Sequence, residues 1–96
     1  MFVVKLTYHK PIDEVEKFTV PHREFLDQLY VDGIMLMSGP GVPRTGGILI
    51  AKGGRSKDEL WQILQGDPFH TEGIATYEII EFNPIKHIPA LKDHLV

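Results

Sequence analysis

Ninety-six residues is the length of one domain, and a chain this short buries only about 60 to 70% of its unfolded surface, so one core across 1–96 is expected. A hydrophobic fraction of 43%, a charged fraction of 24% and a formal net charge of −3 exclude a disordered chain. Because the basic residues are scattered rather than grouped, they also exclude a phosphate-neutralising nucleic-acid surface. The chain has no cysteine, which rules out disulfides, thiolate catalysis and cysteine-ligated metals and fits a reducing cytoplasm.

The opening MFVVKLTYHK carries no basic lead, and its apolar run, Phe2 to Val4, is far too short for a signal core or a membrane span. No membrane role is expected. The β-branched and aromatic stretch FVVKLTY (2–8) predicts a first strand, interior because apolar side chains fall on both faces. Residues 12–32 then follow a helical period, with Phe18, His22, Phe25, Leu26 and Leu29 on one face. Pro21 cannot sit mid-helix without cost, so a break is expected near Thr19 and Val20, with Pro21 in the first turn of the main helical piece. Gly33 is the expected stop.

IMLMSGP (34–40) and GGILIAK (46–52) are apolar runs joined by GVPRT, which predicts an antiparallel strand pair. SKDELWQILQ (56–65) begins with the capping-box pair Ser56 and Glu59 and continues as a second helix, stopped by Gly66. TYEIIEF (76–82) alternates as a fourth strand, and the proline-bearing tail 84–96 reads as an extended arm with a short helical end. The order β-α-β-β-α-β is that of an α+β, ferredoxin-like domain, a four-stranded antiparallel sheet with both helices on one face. The other face would then be bare and apolar, which predicts a sheet-to-sheet homodimer, or a larger assembly built from it.

Two residues draw attention as chemistry. His22 lies in the apolar stripe of the first helix, where it is either a core histidine satisfied by a carbonyl or a general acid–base, since imidazole titrates near neutral pH. Asp67 follows Gly66 and precedes Pro68, a good N-cap for a short helix. A carboxylate has acceptor sites to spare, so capping leaves room for it to hold an imidazole as well. SGPGVPRTGG (38–47) lacks the P-loop lysine and joins two strands, so a nucleotide cradle is not expected. Gly39 and Pro40 either shape a pocket edge or make a plain hairpin, and Arg44 could meet an anionic substrate. His9, His70, His87 and His94 show no metal-ligand spacing, so neither a metal nor another cofactor is expected. A triad of Ser38, His22 and Asp67 has no nucleophile-elbow pattern behind it. Trp61 and Tyr77 read as core.

PHREFLDQLYVDGIMLMSGP together with LQGDPFHTEGIATYEIIEF resembles the YciI-like (YCII-related) family, through a histidine in the first helix, a GP after the second strand and a DPF after the second helix. The resemblance covers residues 1–83, leaving 84–96 as an arm outside it. It implies a dimeric α/β barrel of ferredoxin-like subunits and a pocket in which His22 and Asp67 meet, with Gly39 and Pro40 as the GP and Ser38 just before it. Arg44 belongs to no such motif and enters on charge alone. The implied activity is proton transfer on a small ring compound, of dehydrohalogenation or isomerisation type, with His22 as base and Asp67 fixing its tautomer. A non-catalytic small-ligand or interaction module, and a purely structural His–Asp pair, are the other readings.

Overall fold

A computed structural model describes residues 1–95. β1 (Phe2–Tyr8) lies inside a four-stranded sheet, antiparallel to β3 (Gly46–Ala51) on one side and to β4 (Ala75–Glu81) on the other, with β2 (Met35–Pro40) at the edge beyond β3. The resulting order β2-β3-β1-β4 is the predicted ferredoxin-like α+β arrangement. On the helix-facing side of β1, Phe2, Val4 and Leu6 are buried and aligned with Ala51, Leu49 and Gly47 of β3. Ile79 and Tyr77 of β4 face them from the other flank.

The opposite face is less apolar than the sequence suggests. Lys5 and Thr7 are exposed there, and Lys5 stands directly across from Glu78, so only Val3 of β1 joins Met37, Ile48, Ile50 and Ile80 on that side. β1 is interior by position, but its two faces are not alike.

The first helical stretch is divided, as Pro21 requires. α1 (Ile12–Glu16) ends at Lys17, Phe18 is non-helical, and α2 (Thr19–Val31) starts with Pro21 in its first turn. The break falls one or two residues before Thr19 and Val20, because a proline at the third helical position lacks only an N–H that would be unpaired anyway. His22 follows directly. α2 closes on Gly33, whose φ of 73° suits glycine, and the bonds Gly33 N–H to Tyr30 and Ile34 N–H to Leu29 complete a Schellman cap.

α3 (Lys57–Leu64) carries the full capping box between Ser56 and Glu59, and α4 (Pro68–Thr71) starts at Asp67. Leu26 and Leu29 of α2, Leu60 and Leu64 of α3, and Phe69 of α4 join the sheet in one core. Pro89–His94 forms a short 3₁₀ turn at the end of the arm. Among the described residues no helix is long and apolar enough to cross a membrane.

Candidate functional site

α2 and α4 bring His22 and Asp67 together across 45 residues of sequence. Nδ1 of His22 lies 2.8 Å from Oδ1 and 2.9 Å from Oδ2 of Asp67. Asp67 is wholly buried, and the His22 side chain is only 12% exposed. The same carboxylate makes two further contacts. Its Oδ1 accepts the Phe69 backbone N–H at 3.0 Å, which caps α4, and its Oδ2 accepts the Tyr77 hydroxyl at 2.6 Å. A buried carboxylate is costly unless its lone pairs are filled, and here three donors fill them.

Orientation of the imidazole comes from two directions. Phe69, next but one after Asp67, stacks on His22 with ring centroids 3.8 Å apart and planes 3° from parallel. The acceptor-only carboxylate requires Nδ1 to carry a proton, which leaves Nε2 as the free nitrogen of a neutral ring. Tyr77 cannot take over as the anion. Burial first, and the adjacent Asp67 charge second, push its hydroxyl far above the usual tyrosine range, so it remains a donor.

Above His22 lies a cavity of about 340 Å³. Leu6, Leu26 and Leu49 form apolar wall, while Tyr8, Thr19, Ser38 and His22 supply polar tips. Gly39 and Pro40 line it from the end of β2, Arg23 from α2 and Arg44 from the β2–β3 connection. His22, Ser38, Gly39, Pro40 and Arg44 therefore share one cavity, and Asp67 sits behind His22 rather than on the wall.

Ser38 is no nucleophile partner of His22. Its hydroxyl is 2.6 Å from the Tyr30 hydroxyl, and among the described residues His22 hydrogen-bonds through its ring to Asp67 alone. Within the hairpin, Gly41 N–H donates to the Gly46 carbonyl at 2.8 Å. Of the other histidines, His9 Nε2 contacts the Thr76 hydroxyl, His87 Nδ1 the Pro84 carbonyl, and His70 stacks on Trp61. Among the described residues no three His, Asp or Glu side chains are grouped closely enough to hold a metal ion.

Tyr77 and Phe69 are the residues that sequence reasoning undervalued. Tyr77 does lie on the core side, but a phenol on the buried face of an alternating strand needs a partner for its hydroxyl, and that requirement was the available signal.

The YCII-related domain model matches residues 1–83. Among solved structures, the chain is similar to the 5-chloro-2-hydroxyhydroquinone dehydrochlorinase TftG from Burkholderia phenoliruptrix in complex with 2,5-dihydroxybenzoquinone. The TM-score is 0.69 at 19% identity, over 86% of this chain and 94% of that one. At that identity the likeness is one of fold. No curated protein matches the chain.

Proposed function

Since the chain belongs to the YCII-related domain family, we propose that it is a small cofactor-independent enzyme that moves a proton on a small ring compound with the His22–Asp67 pair. The observation that carries this reading is the buried carboxylate bonded to Nδ1 of a histidine that lines a cavity. Nε2 takes the proton, and the imidazolium that forms lies against Asp67, so the new charge is neutralised where it arises.

In an isomerisation the same nitrogen returns the proton to another carbon. In a dehydrohalogenation the electron pair of the broken C–H or O–H bond forms the new double bond, and the halide leaves with its own bonding pair. Neither step changes the overall redox state, so base and substrate suffice. The fold likeness to a dehydrochlorinase supports the second type.

The working unit in this reading is a homodimer in a reducing cytoplasm. Met37, Ile80, Phe82 and Ile48 are 58%, 48%, 42% and 39% exposed, and the exposed Ile85 and Ile88 of the arm add apolar surface that a second copy would cover.

The test is proton exchange. A panel of hydroxylated and chlorinated single-ring compounds is incubated in D₂O, with carbon-bound protons followed by NMR and released chloride measured. The native protein is expected to accelerate exchange or chloride release for some members, and His22→Ala to lose about 10²- to 10⁴-fold of that rate. Equal rates in the variant would reject His22 as the base. Saturable binding without exchange or chloride release would instead identify a binding module.

A further inference from the structure

The same cavity carries information about charge. The chain as a whole is acidic, at −3, yet among the described residues the cavity wall contains no aspartate or glutamate and two arginines. Arg23 comes from α2, directly after His22, and Arg44 from the β2–β3 connection. Neither donates a hydrogen bond to any described residue. The nearest counter-charge, Glu16, reaches Arg44 only at 3.7 Å, beyond hydrogen-bond distance, and is itself 62% exposed. A surface pair of that kind contributes little and leaves the guanidinium available.

Exposure orders the wall. Leu6, Leu26 and Leu49 are buried, His22 is nearly so, and Arg23 and Arg44 are exposed, so the cavity runs from an apolar floor past the imidazole to a cationic mouth. Its volume lies at the lower end of ligand sites, which suits one ring rather than two.

On the reading of this cavity as the substrate site, we propose that it takes a single-ring aromatic or enolic carboxylate. The carboxylate lies between Arg23 and Arg44, the ring against the leucines and the reacting C–H or O–H at His22 Nε2. A planar anion is what guanidinium donors match, and a positive mouth on a negative protein would draw it in.

Calorimetry with 2,5-dihydroxybenzoate, its neutral amide and hydroquinone tests this in the native protein and in Arg23→Gln, Arg44→Gln, the double variant and Arg55→Gln, an arginine outside the cavity. The acid is expected to bind about tenfold or more tighter than the amide, the size of effect that one charge-assisted contact supports. The double variant should erase the preference, with Arg55→Gln retaining it. Equal affinity for acid and amide, a preference that survives the double variant, or no saturable binding of the acid would each overturn the proposal. The two readings fail separately. Carboxylate preference without any proton exchange would keep the ligand class and reject the enzyme, whereas exchange on hydroquinone with no carboxylate preference would do the reverse.

Discussion

The Tyr77 hydroxyl donates to Oδ2 of Asp67 at 2.6 Å, on the carboxylate that holds Nδ1 of His22. A residue of β4 thus supports a side chain of α2 through the carboxylate that both of them meet. The pair His22–Asp67 is really a set of four groups, because the Phe69 N–H takes the remaining position on the carboxylate. Every donor reduces the freedom of Asp67, and the imidazole can be no better fixed than its acceptor.

Tyr77→Phe removes one of these donors while keeping the ring. A stability loss of about 1.5 to 3 kcal/mol is expected, the usual worth of a hydrogen bond to a charged group. The pH dependence gives an independent check. Tyr77 is raised in the folded state, so its contribution is fully present below the unfolded tyrosine value of about 10 and is lost as the pH rises above it. Urea midpoints of native and variant protein measured from pH 8 to 11 should therefore converge above about pH 10. A constant difference over that range would mean that the hydroxyl does not titrate differently in the two states.

Gly46 supplies a test of the sheet. A Cβ there would overlap the Leu6 carbonyl oxygen, which belongs to the backbone of the interior strand and cannot move aside cheaply. Gly46→Ala should cost about 3 kcal/mol or more, at the upper end of overpacking effects. Its neighbour Thr45 is exposed, so Thr45→Ala should stay within about 0.5 kcal/mol. Thermal melts of the two variants side by side check this, and a harmless Gly46→Ala would show that β1 and β3 are further apart than described.

Local grammar made most of the fold legible. Ser56 and Glu59 announced α3, Gly66, Asp67 and Pro68 announced α4, and Pro21 announced the divided first helix, because each acts on its own few residues of backbone. The charged face of β1 was misjudged, since Lys5 acquires its meaning only from register, which sets it opposite Glu78. The site divides in the same way. His22 and Asp67 each stand out in local pattern and are paired only through a family resemblance, whereas Tyr77 and Arg23 are brought to the site by β4 pairing and by the turn of α2, which no short motif encodes.

Ile48 examines the proposed dimer. It sits on the open face of β3, 39% exposed, across from Lys5 of β1 and Gly39 of β2. If a second sheet covers this face, Ile48→Glu would bury a second carboxylate around Lys5, which already faces Glu78, leaving two anions to share one cation, and sedimentation velocity should find a shift from dimer to monomer. In a protein that is monomeric throughout, the same substitution would leave both sedimentation and folding almost unchanged.

Asp67→Asn separates the capping role from the orienting one. The amide oxygen can still accept the Phe69 N–H, so α4 keeps its cap, but the NH₂ group then stands where Oδ2 had received the Tyr77 hydroxyl and faced Nδ1 of His22. Nδ1 of His22 then faces the amide oxygen in the Oδ1 position, 2.8 Å away, and the NH₂ in the Oδ2 position, 2.9 Å away. The Nδ1–H tautomer thus loses one of its two acceptors and its counter-charge, and the Nε2–H tautomer, wrong for a base acting into the cavity, gains population. The variant is expected to fold and to lose about 10² or more in turnover. Long-range ¹⁵N–¹H spectra should show the Nε2–H tautomer gaining population at the expense of Nδ1–H. An unchanged tautomer with unchanged turnover would reduce Asp67 to a helix cap, and an unchanged tautomer with lost turnover would assign it electrostatic stabilisation of the imidazolium instead.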